Sequence, residues 1–531
     1  MGAWRAVCGV GGILAVAWLA AIWAQEVPRA EPKRIELTEP GVYKDSDCIY
    51  VMTKDVTATG KGFRFEGKNY VVDLGGNTLT FNTEPYKDPN EKEYWLYKVV
   101  FGVMLLGENG ELRNGTIVQG AGHGEDARCV YVGVKGGRIH DTTTVISGGD
   151  RGKNFFAQWG GTNIELDHNY LVNQASAENG WYGALTLAEA GEKWDIHHNT
   201  IVGGHQGILV GGRREKENVH IHHNCISHKR TLSQKVPEAI YIRASGCEID
   251  HNEIVSIDGR GIEPTGQNND WHHNVVDVRY ISQAAGGFYP ENRCYGYWAR
   301  NPNGNRIVDN LFVVNNEVIG DGTSNSIGIL LTTDPGRPEP LRNCTITGNR
   351  LIIRHNDKAR PAWGLSLNHV GDQVVVKDNF IWVDTAAVEV DDRARGAVIE
   401  GNTFVRANDK WQEKVPAYEA KGEGLKNCTF RENKVVPPPQ DKVPLAAPTG
   451  LSITRRINGY ELHWDANTEP DALGYYVYRD GRRVEDRLKC GRFYVDTSAS
   501  PKGTFGYAVS AVDLAGNEGP KGAAVSTATA K

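Results

Sequence analysis

The sequence has no excess of basic residues, since 59 lysines and arginines face 65 aspartates and glutamates and the formal net charge is −6. A nucleic-acid partner would require a basic face, so none is expected. No segment has a convincing helical period, and no phosphate-loop or zinc-binding pattern occurs. The composition, with 62 glycines and 23% charged residues, is typical of a turn-rich soluble protein.

Long hydrophobic runs are absent except at the N-terminus, where an apolar run from Ala6 to Ala24 follows the single charge of Arg5. Gln25, Glu26 and a proline-containing polar stretch come next. This order is typical of a secretory signal peptide, residues 1–24, cleaved after Ala24. The alternative is an uncleaved membrane anchor, because the run approaches spanning length. We therefore expect a secreted protein, extracellular or periplasmic, that is free of the membrane after cleavage.

One short pattern recurs along the chain: an apolar residue, two turn residues, an asparagine, one outward residue and a second apolar residue. Apolar positions at period two indicate strands, and the recurring asparagine indicates a corner between them. The five closest copies are NIELDHNYL, WDIHHNTI, VHIHHNCI, CEIDHNEI and DWHHNVV, with asparagines at Asn169, Asn199, Asn224, Asn252 and Asn274. Further copies lie at Asn77, Gly115, Asn310, Asn349, Asn379, Asn402 and Asn433, which makes about a dozen coils.

A third strand lies between successive copies, in segments such as GALTL, GILV, AIYI and GIEP. Three short strands per coil predict an all-β, single-stranded right-handed parallel β-helix, with the asparagine side chains stacked in a ladder. From Ile35 to Val436 the chain resembles the pectate-lyase-like right-handed β-helix family with its PbH1-type repeats. That family includes lyases, hydrolases, epimerases, esterases and non-catalytic adhesins, so the resemblance does not define an activity.

The composition changes at the proline-rich stretch from Val435 to Pro448, which we interpret as a semi-rigid linker at 437–446 after a β-helix domain of 25–436. Residues 447–531 resemble a fibronectin type III domain, with a core Trp464 and with Tyr507 at a sandwich corner. Such a module is commonly a spacer, so no chemistry is assigned to it. A chain that ends near Pro438 is expected to keep its activity.

Eight cysteines follow Cys8, but the repeat argues against disulfides. Cys247, Cys344 and Cys428 each lie five residues before an asparagine, and at least two coils separate any two of them. At about 4.8 Å per coil this separation is beyond disulfide reach, so buried thiols are expected.

Histidines recur directly before the asparagine, and again one residue earlier in three copies. A metal site is the alternative to a structural stack. All ligands would come from one column, however, with carboxylates only at Asp167 and Asp250, so we favour a structural ladder without a metal. Packing should lower the imidazole pKa below about 6.5, and stability should fall as the pH drops through that value. The histidines are His168, His198, His223, His251 and His273, and then His197, His222 and His272.

The functional face should be the third strand, where flanking loops form a groove. An acid between two aromatic rings, with an arginine nearby, suits sugar chemistry. The alternative is that these are ordinary solvated side chains. The predicted catalytic residues are Glu263, Glu291, Glu238 and Tyr241, and the predicted substrate-binding residues are Arg243, Arg260, Tyr289, His205 and Glu189.

Two catalytic interpretations compete. In a hydrolase, Glu263 would be the acid or base and Glu291 or Glu238 its partner. In a lyase, Arg243 or Arg260 would neutralise a uronate while Tyr241, His205 or a lysine removes the C5 proton.

The arginine motif of the family's calcium-dependent lyases and the acidic triplet of polygalacturonases are both missing. No cofactor is therefore expected, and Ca²⁺ stays open without a motif. A third possibility is a non-catalytic surface or carbohydrate-binding protein. The expected partner is a polysaccharide, and the expected state is a monomer.

Overall fold

The structure, a computed structural model, is almost entirely β. The described residues are 31–85, 99–122, 126–149, 152–158, 161–175, 183–189, 192–211, 218–229, 238–281, 294–300, 302–317, 326–333, 339–355, 362–383, 386–406, 418–420 and 424–530. The proposed signal peptide, residues 1–24, lies outside this part of the chain. No helix within these ranges has the length and hydrophobicity that crossing a bilayer would require.

Short parallel strands wind into a right-handed β-helix of three faces, as the repeat predicts. The groove face consists of strands that pair in one continuous parallel sheet. Its strands are Gly41–Tyr43, Phe63–Phe65, Val99–Leu105, Asp126–Val132, Lys153–Gln158, Gly183–Glu189, Gln206–Val210, Glu238–Ile242, Arg260–Pro264, Cys294–Arg300, Ser326–Thr332, Ala362–Leu367, Ala386–Val390 and Tyr418–Ala420.

A second parallel sheet forms the two other faces, on either side of the asparagine corner. The histidine face, before the corner, contains Lys33–Leu37, Cys48–Met52, Lys68–Asp73, Thr162–Asp167, Trp194–His197, Val219–His222, Glu248–Asp250, Asp270–His272, Arg306–Val308, Thr345–Thr347, Val375–Lys377, Val398–Glu400 and Thr429–Arg431. The docking face, after the corner, contains Val56–Thr57, Thr78–Phe81, Tyr170–Asn173, Thr200–Gly203, Cys225–Lys229, Glu253–Ile257, Val275–Tyr280, Leu311–Asn316, Arg350–His355, Phe380–Val383, Thr403–Arg406 and Lys434–Val436. Two long strands, Glu108–Gln119 and Lys135–Ile146, run through the corner.

The asparagines form the predicted ladder from Asn169 to Asn433. Each backbone N–H donates to the side-chain oxygen of the next asparagine at 2.9–3.1 Å. Each amide also donates to a carbonyl of the preceding coil, as Asn224 does to Ile196 at 2.8 Å. The residue before each asparagine turns the corner with a positive φ, for example 52° at His223. The ladder therefore satisfies backbone groups that a buried corner would otherwise leave unpaired.

Cys247, Cys344 and Cys428 are free thiols, as expected. Cys247 and Cys344 are buried in the helix core, where burial raises the pKa of the Cys344 thiol to about 11. Cys428 is half-buried against the same core. Their role is that of small apolar groups.

The C-terminal region folds as a sandwich of two antiparallel sheets. One sheet contains Ser452–Arg456, Gly459–His463 and Phe493–Asp496, and the other contains Ala472–Arg479, Arg482–Arg483, Gly506–Asp513, Glu518–Lys521 and Val525–Ser526. Its core includes Trp464 and Tyr507, and the Tyr507 hydroxyl donates to Asp496 Oδ2 at 2.8 Å. Two short helices complete the described chain, Gly424–Asn427 and the 3-10 turn Thr527–Thr529.

The sandwich packs directly on the docking face. Apolar contacts join Val313, Ile352, Trp382 and Val405 of the helix to Leu473, Cys490 and Leu514 of the sandwich. A second contact joins Tyr170 and Val172 to Phe493 and Val495. Ionic contacts reinforce the interface, with Arg492 Nε 2.6 Å from Glu253 Oε1 and Arg487 Nε 3.2 Å from Glu317 Oε2. The interpretation of this module as a spacer is therefore wrong, because it covers an apolar face of the helix.

Ending the chain at Pro438 should lower the melting temperature and cause self-association, because the uncovered face would expose Trp382, Ile352 and Val313. Turnover per folded molecule on soluble substrate should stay within about tenfold of the full chain, since the groove face lies on other strands. Thermal scans, light scattering and initial rates check this. A truncated chain that melts like the full one and stays monomeric would show that the interface contributes little.

Candidate functional site

The central coils of the groove face bring four of the predicted residues together. In the strand register Tyr241 lies beside Glu263, and Glu238 lies beside Arg260. Arg260 Nη1 is 2.8 Å from Glu263 Oε2 and 3.3 Å from Glu238 Oε1. One guanidinium group therefore contacts two carboxylates from neighbouring coils. We call Glu238, Arg260, Glu263 and Tyr241 the groove cluster.

Gln206 is a fifth member that the sequence analysis missed. Its Nε2 donates to Glu238 Oε2 at 2.8 Å from the coil on the other side. Gln206, Glu238 and Arg260 each stand two residues before the inward isoleucine of their strand. This shared position was visible in the sequence and would have identified all three together.

The groove cluster is buried, so the alternative that these are ordinary solvated side chains is wrong for its members. Glu263 and Glu238 are each 3% exposed, Tyr241 is 6% exposed and Arg260 is 8% exposed. Ionised groups at this depth require partners, because burial without them costs several kcal/mol. The ion pairs of Arg260 provide such partners, so these side chains hold fixed positions.

Tyr241 is a hydrogen-bond donor at neutral pH. Burial, and then the negative charge of Glu263, raise the pKa of its phenol to about 12. The Thr265 side chain is its hydrogen-bond partner. A proton-abstracting phenolate at this position would therefore be rare at neutral pH.

Two predicted residues, Tyr289 and Glu291, lie outside the described part of the chain. The groove strand of that coil is Cys294–Arg300, in which Tyr297 pairs with Ile262. The position beside Glu263 in this coil therefore belongs to this later segment and not to Tyr289. Glu189 ends the strand Gly183–Glu189, and its side chain is not among those described.

Arg243 and His205 occupy different environments. Arg243 is exposed and comes directly after the strand Glu238–Ile242, two residues after Tyr241. His205 is buried, and its carbonyl accepts a hydrogen bond from His228 Nε2 at 2.6 Å. Arg243 is therefore placed to meet a ligand at the rim, whereas His205 lies within the fold beside Gln206.

His228 connects the docking face to the groove cluster through the core. Its Nδ1 is 3.2 Å from Ser256 Oγ, and that hydroxyl donates to the Arg260 carbonyl at 2.9 Å. Burial lowers the pKa of His228 to about 4, against an opposing contribution from the His205 carbonyl. His228 thus links two backbone groups of the groove face by hydrogen bonds: the carbonyl of His205, next to Gln206, and, through Ser256, the carbonyl of Arg260.

The predicted histidine ladder is present on the histidine face. Successive rings from His168 to His273 stack with centroids 4.8–5.2 Å apart and planes within 7° of parallel. Burial is the main cause that lowers the pKa of His198, His222 and His223, as expected for packed imidazoles. The expectation that carboxylates lie only at Asp167 and Asp250 is wrong. Glu165, Asp195 and Glu248 form a second column four residues before the asparagine and reach the same imidazoles.

A scan against protein-family models and a search of curated proteins both find no match. Solved structures show similarity. A Fn3-like protein from Clostridium thermocellum aligns at 30% identity over 16% of this chain and 92% of that chain, with a TM-score of 0.14. A tailspike protein mutant of E. coli bacteriophage HK620 in complex with pentasaccharide aligns at 10% identity over 93% of this chain and 84% of that chain, with a TM-score of 0.48.

Proposed function

We propose that the chain is a secreted, pectate-lyase-like β-helix enzyme with a fibronectin type III module, and that it cleaves glycosidic bonds of a polysaccharide at the groove cluster. One observation carries this proposal: a single guanidinium group holds two buried carboxylates beside a protonated phenol. Pairs of carboxyl groups held at fixed separation are the machinery of glycoside hydrolysis.

The separation of the carboxylates favours a retaining hydrolase. Glu238 Oε1 and Glu263 Oε2 lie no more than about 6 Å apart, since the same Arg260 nitrogen is 3.3 Å from one and 2.8 Å from the other. Retaining enzymes place their carboxyl groups about 5–5.5 Å apart and inverting enzymes about 6.5–9.5 Å apart. In this proposal one glutamate, as the carboxylate, attacks the anomeric carbon, and the other, in its protonated form, gives its proton to the leaving oxygen as the glycosidic bond breaks. Water then hydrolyses the glycosyl–enzyme bond, with the second glutamate taking the proton of the water, and Tyr241 donates to a sugar hydroxyl throughout.

Lyase chemistry is less well supported by the same residues. It requires a base for the C5 proton, and the raised pKa of Tyr241 makes the phenol unsuitable at neutral pH. A non-catalytic carbohydrate-binding protein is the second candidate, and the low exposure of both carboxylates favours it. Exposed Arg243 would serve either function by binding a uronate carboxylate or a hydroxyl at the rim.

The deciding experiment incubates the purified full chain with a panel of neutral and acidic polysaccharides. Reducing ends report hydrolysis, absorbance of unsaturated uronate reports elimination, and affinity electrophoresis reports binding. New reducing ends without unsaturated product are expected. Unsaturated product would establish a lyase instead, and retardation without any product would establish a binding protein. The proposal is overturned if the chain neither binds nor cleaves any member of the panel.

A further inference from the structure

Two histidines and an aspartate converge on the outer surface of the histidine face. His220 and His222 lie on one strand, Val219–His222, and point to the same side because they are two residues apart. Asp195 lies in the preceding coil directly beside His220. Asp195 Oδ1 is 2.9 Å from His222 Nε2 and 3.8 Å from His220 Nδ1.

These distances match the ligand spacing of a tetrahedral ion. Zinc–ligand bonds of about 2.05 Å at tetrahedral angles put neighbouring ligand atoms about 3.3 Å apart. The distances of 2.9 and 3.8 Å lie on either side of that value, and the three potential ligand atoms all lie within 4.8 Å of one another. Small side-chain rotations on an exposed surface would complete the geometry. The Asp195 side chain is 50% exposed, so it can rotate toward His220.

In both imidazoles, the ring nitrogen that would not bind the ion already has a hydrogen-bond partner. His220 Nε2 is 2.6 Å from Asp250 Oδ1, which fixes the proton on Nε2 and leaves Nδ1 free to coordinate. A carboxylate behind a metal-binding histidine is the usual orienting contact of such sites. His222 Nδ1 is 2.9 Å from His223 Nδ1. When His222 Nε2 binds the ion, the Nδ1–H of His222 donates a hydrogen bond to His223 Nδ1.

We propose that Asp195, His220 and His222 form a binding site for a divalent transition-metal ion, with Zn²⁺ as the best match, and that Asp250 orients His220. Two imidazoles and one carboxylate are a donor set for Zn²⁺ rather than for Ca²⁺, which prefers six or more oxygens. The three side chains leave one tetrahedral position for water or an external ligand. The site is separate from the groove cluster and does not depend on the function proposed for it.

The site of Asp195, His220 and His222 differs from a neighbouring cluster because, in the described part of the chain, no lysine or arginine pairs with its carboxylate. Glu165, Asp167 and His197 also lie close together, but Asp167 forms a two-point ion pair with Arg138 at 2.8 and 2.7 Å. Within the described ranges, the ion pairs of Asp195 are formed with histidines and none with lysine or arginine. An arriving ion would therefore meet a carboxylate that is not already neutralised by a permanent charge.

The surface beside the site is concave. A recess of about 400 Å³ borders Asp195 and His220 and extends over Gly137, Asn163 and Trp194. An ion bound to Asp195 and His220 would lie at the edge of this recess. A small anionic or hydroxylated ligand could then bind the ion and the recess together.

The test is calorimetric titration of Zn²⁺ into the chelator-treated full chain without a polyhistidine tag, at pH 7.5. One saturable site is expected. Asp195→Asn and His220→Ala should each weaken binding at least about a hundredfold, and Asp250→Asn should weaken it about 10–100-fold as an outer contact. His273→Ala is the matched control, because this ladder histidine lies outside the triad, and it should bind Zn²⁺ as the parent does.

A spectroscopic readout makes the result independent of affinity alone. Co²⁺ in the same site should give the strong visible absorption of tetrahedral coordination, and Asp195→Asn should abolish it. Metal-free melting temperatures show that each variant is folded, and little change is expected for Asp195→Asn because the side chain is half exposed. The proposal is overturned if no saturable site exists, or if His273→Ala weakens binding as much as His220→Ala does.

Discussion

Glu263→Gln should lower turnover on the cleaved polysaccharide at least a hundredfold, which corresponds to about 2.7 kcal/mol of transition-state stabilisation. The amide keeps the size of the side chain but can neither attack an anomeric carbon nor transfer a proton to the leaving oxygen. Loss of the contact between Arg260 and a charged carboxylate should also cost some stability, about 1–3 kcal/mol, because the pair is buried. Turnover must therefore be measured per folded molecule.

Glu389→Gln is the matched control. Glu389 follows the inward Val388 as Glu263 follows Ile262, and strand pairing places the two in one column four coils apart. It is also buried, 5% exposed, and accepts a hydrogen bond from the Ser366 hydroxyl. The control should therefore lose comparable stability while keeping its turnover. Near-normal turnover of Glu263→Gln would exclude Glu263 from the chemistry and direct attention to Asp391 and Asp392 in the later coils.

Acidification from pH 7 to pH 4 should cost the fold about 3 kcal/mol through His228 alone. Its pKa is about 4 in the folded chain and about 6.5 when unfolded. The unfolded state therefore binds the proton first, and stability present above pH 6.5 is lost as the pH falls toward 4. Because His228 contacts the His205 carbonyl and, through Ser256, the Arg260 carbonyl, activity should decline over the same range.

His228→Gln isolates this contribution from those of other titrating groups. The variant should be less stable than the parent at pH 7, since it alters a fully buried contact. The difference in melting temperature between parent and variant should then shrink as the pH is lowered to 4. A difference that stays constant over this range would show that His228 does not carry the pH dependence.

Much of the β-helix could be predicted because its repeat is encoded locally. The asparagine, the apolar residues on either side and the left-handed residue before it define a corner without any knowledge of distant contacts, as Asn224 and His223 show. The strand after Tyr280 was misplaced, because the intervening segment has no fixed length and several short apolar stretches fit the pattern equally well.

Four of the five members of the groove cluster were predicted, without Gln206, and their burial was not. Period-two alternation identifies Glu263 as outward from the core, and outward normally means solvated. Whether loops cover a face depends on long-range packing that the alternation does not encode. The docking of the sandwich did leave a local signal: outward residues three after the asparagine are apolar at Val172, Val255, Val313, Ile352, Trp382 and Val405.

The docked sandwich changes how the coils should come apart. A solenoid whose repeats touch only their neighbours unravels stepwise from an end, because each coil is held by local contacts alone. Here the sandwich, which follows the coils in the chain, contacts coils from Tyr170 to Val405, far from its own attachment point. Pulling on the two ends should therefore give one large rupture as the sandwich detaches, followed by small regular steps. The sandwich can form all of these contacts only after every coil that it contacts has folded.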